Sequence, residues 1–166
     1  MTNKDFPSGL KPLGKDPLLT YFEASVTTAI FVGDVVAIKS TGRIHATVTT
    51  TGSADIIGVA AEYSKASNTP AQKIGVYADP QQEFIIQDDA TGATTTQFNK
   101  NKVGELAPLV LTTGNTSTGI SKQELDISSI GSGATTDPLR VVGVADDIDN
   151  ESGVSHMKWI VTLNRH

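Results

Sequence analysis

Residues 56–62 read IIGVAAE, and residues 141–147 return the pattern as VVGVADD at an offset of 85 residues. Upstream of each copy, a glycine and an acid open an apolar run, which reads GDVV at residues 33–36 and GELA at residues 104–107. A third echo keeps the same order, with TGRI at residues 41–44 and STGI at residues 117–120. Three echoes in one order predict two related β modules within the chain.

The glycines of these motifs predict local backbone features of a β framework. Gly58 and Gly143 lie inside apolar runs, where glycine usually marks a bulge, a bend or a close backbone approach. Gly33 and Gly104 allow a positive φ at the entry to a strand, and the following acid can accept hydrogen bonds from backbone N–H groups. The motifs are too short for a phosphate-binding loop, and no helical pattern follows them.

Composition places the chain in the all-β class. The 166 residues fit one domain or two closely packed halves, and a chain of this size buries roughly 70% of its unfolded surface. Charged residues make up 19%, below the usual ~25%, and threonine is abundant. Threonine is β-branched and suits a pleated surface. We therefore expect a compact β-barrel or sandwich of short strands with little or no helix.

Alternating apolar residues and short apolar runs predict where the strands lie. The last predicted strand, residues 156–163, should place Trp159, Val161 and Leu163 on one face. Extending the offset of 85 aligns Val161 with Val76 and makes residues 74–77 its counterpart. The predicted strands are residues 21–28, 34–39, 43–50, 56–62, 73–78, 83–87, 105–112, 120–127, 139–146 and 156–163.

The chain divides into an extended N-terminal arm, residues 1–22, and a β domain, residues 23–166. Within that domain we expect modules at about residues 23–88 and 103–166, joined by a polar loop that spans residues 88–102. Three prolines in the first 20 residues disfavour regular structure there, yet the segment is too apolar for a pure solvent tail. The arm therefore lies over its own domain, docks on a neighbouring subunit, or is disordered.

Charge and hydropathy argue against several partners. The net charge is −5, and the 13 basic residues are scattered, so nucleic acid is an unexpected partner. No apolar run approaches the ~20 residues of a membrane helix, and the first residues lack the apolar stretch of a signal peptide. There is no cysteine, which excludes disulfides and thiolate metal sites. We expect a soluble protein made in the cytoplasm.

Metal-binding spacings are absent from the sequence. His45, His156 and His166 form neither a His-x-His nor a His-Glu-x-x-His pattern, so we predict no zinc site. Residues 146–153, DDIDNESG, offer alternating oxygen donors like the start of a calcium loop, but glycine and the late acid are misplaced. A solvated acidic hairpin turn is the better interpretation, and we expect no metal and no cofactor.

Catalytic patterns are also missing, so we expect no enzyme. The chain has neither cysteine nor a Gly-x-Ser-x-Gly motif, although distant residues can still converge in a fold. Asp88 and Asp89 fall in a polar stretch, where we expect no burial that would raise a pKa. Trp159 is expected in the core, with an interface anchor as the alternative.

Residues 77–89 read YADPQQEFIIQDD and resemble virion structural proteins of tailed bacteriophages, in which an aspartate–proline turn precedes an aromatic strand. Together with GDVV at residues 33–36 and IGVA at residues 57–60, the layout is similar to that of phage head decoration, or cement, proteins. The resemblance covers roughly residues 30–90. It implies a small β-barrel or β-tulip that binds the outer surface of an icosahedral capsid and bridges capsomers.

The resemblance also implies partners and a binding segment. The major capsid protein would be the partner, and the chain would form a homo-oligomer, more often a trimer than a dimer. The protein would be made in the host cytoplasm and reside on the outer surface of the virion. Capsid or subunit contacts are expected from the arm and its junction with the domain, at Phe6, Leu10, Leu13, Leu18, Leu19, Tyr21 and Phe22.

Two other classes stay open from the sequence. One is another virion component, such as a tail, neck or head-fibre protein. The other is a carbohydrate-binding β module, which would need exposed aromatic platforms, whereas aromatic residues make up only 5% of the chain.

Overall fold

The structure is a computed structural model that describes residues 3–14, 17–46, 55–67, 69–91, 102–131 and 135–164. The fold is all-β, as predicted, with 39% strand, 3% helix and three antiparallel sheets. The sheets do not close into a barrel, and their packing is consistent with the sandwich alternative. The loop at residues 92–101 lies outside the described residues.

The described residues contain twelve strands and a short 3-10 helix, Ile127–Ser129, whose N-terminus is capped by the Asp126 carboxylate. In chain order the strands are β1 (Lys11–Pro12), β2 (Leu19–Glu23), β3 (Val35–Ile38), β4 (Ile44–Ala46), β5 (Ile56–Ala60), β6 (Lys73–Tyr77), β7 (Glu83–Gln87), β8 (Leu106–Ala107), β9 (Leu109–Val110), β10 (Glu124–Leu125), β11 (Leu139–Val144) and β12 (Lys158–Leu163).

The strands form two larger sheets and one small one. Sheet 1 has the order β1-β7-β12-β11-β8, sheet 2 has the order β2-β6-β5-β3-β4, and β9 pairs with β10 alone. Every predicted strand overlaps an observed one within its described part, although β2 begins and ends earlier than the predicted strand at residues 21–28. Strand β12 buries Trp159, Val161 and Leu163 on one face as expected. The predicted strand at residues 105–112 is divided into β8 and β9 at Pro108, which has no N–H to donate.

The repeated sequences occupy equivalent places in the two sheets. The first copy forms β5, between β3 and β6, and the second forms β11, between β8 and β12. The glycine–acid motifs lead into β3 and β8, so the predicted repetition is real at the level of strand order. The third echo is not repeated, because Ile44 opens β4 whereas Ile120 forms only isolated bridges.

Both strand glycines follow a β-bulge, which is one of the three alternatives that the sequence left open. Across from β3, the pairing skips Ile57, which leaves it as the extra residue of β5. Across from β12, the pairing skips Val142 in the same way. The two extra residues are separated by the repeat offset of 85. Their surroundings differ, since a Cβ on Gly58 would lie 2.4 Å from the Tyr77 carbonyl oxygen and one on Gly143 would meet nothing within 4 Å.

The two glycine–acid motifs build the same turn. Gly33 and Gly104 have φ of +92° and +90°, a region that glycine enters without a steric penalty. The backbone N–H of the following acid, Asp34 or Glu105, donates to the carbonyl three residues earlier, at 3.0 and 3.2 Å. The sequence therefore repeats because the backbone conformation repeats.

Each turn also forms two backbone hydrogen bonds with one residue of the neighbouring repeated strand. The Gly33 N–H donates to Ala60 (2.8 Å), whose own N–H donates to the carbonyl of Asp34 (2.9 Å). Gly104 and Glu105 hold Val141 in the same way, at 2.8 and 2.9 Å. By the repeat offset, Val141 corresponds to Ile56 and not to Ala60. Relative to the first turn on β5, the second turn therefore contacts β11 four residues closer to the start of the repeated sequence.

The repeated strands β5 and β11 each pair on their other side with a further strand, β6 or β12. The register of this pairing also differs between the two copies. Val59 faces Tyr77, whereas its counterpart Val144 faces Trp159. The extension of the offset that aligned Val76 with Val161 is therefore wrong in register, although it chose the correct strands.

The larger hydrophobic core contains residues of both large sheets and the β9–β10 pair. It comprises Leu10, Val35, Ile56, Val59, Phe84, Ile86, Ala90, Ala107, Leu109, Leu125, Ile127, Ile130, Leu139, Val141, Met157, Trp159, Val161 and Leu163. A second cluster lies on the other face of sheet 2 and comprises Ala24, Ile30, Val36, Ile44, Ala60, Ile74 and Val76. Sheet 2 is thus apolar on both faces, which explains the continuous apolar runs of β3 and β5.

The predicted arm is part of the domain. Its residues 11–12 form β1 on the edge of sheet 1, and the predicted boundary after residue 22 falls inside β2 of sheet 2. The described residues of the arm therefore lie over their own domain, the first of the three alternatives. The module boundary also needs correction, because β7, predicted in the first module, pairs with β12 of the second. Both corrections have one cause, which is that strands pair with partners distant in sequence: β1 with β7, β2 with β6, and β7 with β12.

Asp34 joins three distant parts of the chain. Its buried carboxylate accepts hydrogen bonds from the Phe31 N–H (2.9 Å) and the Ser121 hydroxyl (2.6 Å). The Gly33 carbonyl beside it accepts the N–H of Leu10 (2.9 Å). Burial raises the pKa of Asp34, while the two hydrogen bonds oppose that rise.

Gly58→Ala is expected to lower the free energy of unfolding by about 2 kcal/mol or more, because the new methyl group would overlap a strand carbonyl. Gly143→Ala provides the matched control and should change it by less than ~0.5 kcal/mol, since open space surrounds that position. Urea unfolding of both variants is the measurement. Equal losses would show that the two bulges have the same surroundings.

Asp34→Ala is expected to cost about 2–3 kcal/mol, because it leaves a buried N–H and a buried hydroxyl without their acceptor. Glu105→Ala is the matched control at the exposed position of the second turn and should cost less than ~0.5 kcal/mol. Urea unfolding compares them, and a similar loss in both would mean that the carboxylate of Asp34 has no special role.

The pKa of Asp34 also predicts a pH dependence. Because burial raises this pKa above its ordinary value of 3.8, the folded protein binds a proton at a higher pH than the unfolded chain. The contribution of Asp34 to stability therefore grows as the pH falls from its folded pKa towards 3.8, and shrinks as the pH rises. Relative to Asp34→Asn, the wild type should gain stability on acidification from neutral pH in urea unfolding. A pH-independent difference would contradict the raised pKa.

Candidate functional site

Four apolar side chains of the N-terminal region are exposed on the surface. They are Phe6 (59% exposed), Leu13 (37%), Leu18 (76%) and Tyr21 (59%), and we call them the N-terminal apolar set. All four fall between residues 6 and 21 of the chain, and exposed apolar surface is one sign of an interaction site. All four belong to the seven residues that the sequence predicts for capsid or subunit contact.

The other three predicted contact residues pack within the domain. Leu10 is 2% exposed and lies in the larger core, so its assignment to a docking contact is wrong. The burial follows from the close approach of Gly9 to Gly33, which directs the next side chain inward. Phe22 packs against the core cluster of sheet 2, and Leu19 is half-buried beside Gly75.

Backbone hydrogen bonds fix the N-terminal segment to the domain. Leu13 donates to the Glu83 carbonyl at 2.8 Å, next to the pairing of β1 with β7. Asn3 binds the backbone of Glu151 twice, donating to its carbonyl at 3.0 Å and accepting from its N–H at 2.7 Å. Residues 3–13 are therefore held at both ends, and the side chains of Phe6 and Leu13 project from this stretch. Tyr21 projects from β2, which pairs with β6.

A cleft of about 840 Å³ lies beside this segment. Its walls come from residues 3–11, from β7 and from the turn between β11 and β12. Its charged lining carries both signs, from Lys4, Lys11, Lys158, Asp147, Asp149 and Glu151. The apolar side chains of Phe6 and Ile148 also line it.

The acidic stretch at residues 146–153 is the hairpin turn that the sequence predicts. The Asn150 side chain holds it, donating to the carbonyls of Ala145 (2.7 Å) and Lys158 (2.9 Å) and accepting the Lys158 N–H (2.7 Å). Asp147 pairs with the Lys158 ammonium at 2.7 Å. That hydrogen bond and charge lower the pKa of Asp147.

Asp5, Glu124 and His156 converge in space. One potential ligand atom from each lies within 4.8 Å of the other two. The amide nitrogen of Gln87 lies 3.2 Å from Asp5, 3.4 Å from Glu124 and 3.4 Å from His156. Burial raises the pKa of Glu124, and the negative charges of Asp5 and Asp89 raise it further. Sequence spacing gives no sign of this cluster, because its members come from three separate segments.

The other two histidines considered in the sequence, His45 and His166, are not part of this cluster. A ring nitrogen of His45 is 2.9 Å from the carbonyl of Ala46, which orients the ring along its own strand. His166 lies outside the described residues.

Asp88 corrects the expectation that no burial would raise its pKa. Its side chain is fully buried, and burial is the main reason that its pKa is raised. The carboxylate accepts from Trp159 Nε1 (2.8 Å) and from the backbone N–H groups of Met157 and Ala90 (both 3.2 Å). Asp88 directly follows β7, and its position at the end of an apolar strand is the sequence feature that could have indicated its burial. Trp159 lies in the core, as predicted.

Asp137 is a second buried acid that sequence reasoning missed. Neither of its carboxylate oxygens has a hydrogen-bond partner among the residues that the structure describes. Burial raises its pKa, and the negative charge of Asp126 adds to the rise.

Comparison of the chain with family models, with curated proteins and with solved structures finds no match. Within the part of the chain that the structure describes, no helix is long and apolar enough to cross a membrane.

Proposed function

We propose that this chain is a structural virion protein that binds the exterior of a phage capsid lattice and stabilises the head by bridging capsomers. Its partner would be the major capsid protein, and it would act as a homo-oligomer, with a trimer favoured. The observation that carries the proposal is the N-terminal apolar set, which is exposed on a segment that the domain holds in place. The resemblance at residues 77–89 supplies the class of partner.

The ordered backbone favours binding by this set. A disordered arm loses conformational entropy when it docks, whereas a segment already paired with its own sheet loses less. Exposed aromatic and leucine side chains then supply the apolar contact area. On a capsid lattice each protomer of an oligomer repeats the same contact, so modest contacts combine into high avidity.

The test compares two double variants in co-sedimentation with purified heads that lack the protein. Phe6→Ser with Leu18→Ser should weaken head binding roughly 30-fold, which corresponds to about 2 kcal/mol for two lost apolar contacts. Val103→Ser with Val142→Ser is the matched control, because both valines are exposed at 50% and 38% but lie outside the N-terminal segment. All four sites are at least one-third exposed, so both variants should fold.

The outcomes separate the proposal from its competitors. Equal binding of the two double variants would contradict the assignment of the N-terminal apolar set. Absence of the protein from virions would contradict the virion role altogether. A copy number of a few per particle would indicate a vertex, neck or tail component instead of a lattice protein.

A further inference from the structure

The cluster of Asp5, Glu124 and His156 combines the side chains that bind transition metals. The three come from the N-terminal segment, from β10 and from the residue two positions before β12. His156 Nδ1 lies 3.8 Å from Asp5 Oδ1, within ion-pair distance. Two carboxylate oxygens and one imidazole nitrogen make a mixed donor set that is open on one side, since Asp5 is exposed.

The Gln87 amide alone does not satisfy this cluster. Its nitrogen carries two hydrogens and lies beside two carboxylates and the Nδ1 of His156, so in the histidine tautomer whose Nδ1 bears no hydrogen at least one of these three acceptors receives none from it. The amide oxygen points the other way and accepts the N–H of Phe6 at 3.1 Å. Gln87 is itself 8% exposed, so water has little access to its side.

The local charge is also unbalanced. Among the described residues, no lysine or arginine forms an ion pair with Asp5 or Glu124. Asp89 lies close enough for its negative charge to act on Glu124. A cation placed among the three side chains would neutralise this excess and supply the missing contact.

We propose that Asp5, Glu124 and His156 bind a first-row divalent metal ion of the Zn²⁺ type. Imidazole suits zinc and its neighbours, whereas Ca²⁺ and Mg²⁺ prefer sites built from oxygen alone. A half-turn of the Gln87 amide would bring its oxygen to the same ion as a fourth donor, and the Phe6 N–H would then lose its present acceptor. Bound metal would then fasten Asp5, and with it the backbone on either side, to the body of the domain.

This inference goes beyond the proposed function and is independent of it, because it concerns how the segment at residues 3–6 is held and not what it contacts. Phe6 of the N-terminal apolar set directly follows Asp5. Metal binding would therefore order the backbone that carries this side chain, with or without a capsid partner.

Isothermal titration of the full chain with ZnCl₂ tests the site directly. We expect saturable binding of one ion, and Asp5→Asn should weaken it by roughly 10-fold or more, since ligand loss costs at least as much as loss of an outer-shell partner. Asp5 is exposed, so this variant should fold normally. Asp149→Asn and His45→Gln are the controls, an exposed acid of the neighbouring turn and a histidine elsewhere, and both should bind as the wild type does.

Gln87→Glu gives an opposite prediction. The carboxylate keeps an acceptor for the Phe6 N–H and offers the ion a charged oxygen, so zinc affinity should rise. Limited trypsin digestion provides a second readout, because Zn²⁺ should slow cleavage after Lys4 in the wild type but not in Asp5→Asn.

Three results would overturn the proposal. The first is the absence of saturable zinc binding to the wild type. The second is equal affinity in the wild type, Asp5→Asn and Gln87→Glu, which would place the ion elsewhere. The third is tighter binding of Ca²⁺ than of Zn²⁺, which would exclude the imidazole as a ligand. Loss of head binding in the Phe6 and Leu18 variants bears on none of these results, so the two proposals fail separately.

Discussion

The buried carboxylate of Asp34 is the interaction on which the rest of the structure depends. It holds the turn that starts β3, and through Ser121 it ties that turn to the second half of the chain. Gln123 extends the same link by accepting the Val35 N–H at 2.9 Å. The adjoining Gly33 carbonyl receives Leu10, so the N-terminal segment enters the core at the same point. A buried acid is costly unless it is hydrogen-bonded, and here its bonds join segments that sequence separates.

Contacts between distant segments also explain why the two predicted modules are not independent. Each large sheet takes its middle from one repeat, but sheet 1 also needs β1 and β7 from the first half of the chain. The N-terminal segment is consequently a structural element as well as the proposed binding element. Its inward side chain, Leu10, stabilises the core, and its outward side chains, Phe6 and Leu13, are available at the surface.

Sequence reasoning succeeded where the cause is local and failed where it is not. The alternation of β12 follows from neighbouring residues, so the pattern alone predicts it. The glycines inside apolar runs likewise indicated an irregularity at Gly58 and Gly143, where the structure has bulges. The burial of Asp88 depends on Trp159, and the grouping of Asp5 with Glu124 and His156 depends on pairing between distant strands. Polar composition indicated solvent for Asp88, and tertiary packing overrode that indication.

Because the second turn is displaced by four residues, the side chains of the strand that follows it, β8, point to the opposite faces from those of β3. Strand side chains alternate between faces, and the displacement passes across a bulge, whose extra residue changes the alternation by one. Val35 therefore points into the larger core, whereas Leu106 at the matching repeat position is only half-buried and the next residue, Ala107, points inward. A bulge thus lets a repeated sequence exchange its buried face for its exposed face, so residues aligned by the repeat occupy opposite faces of their strands.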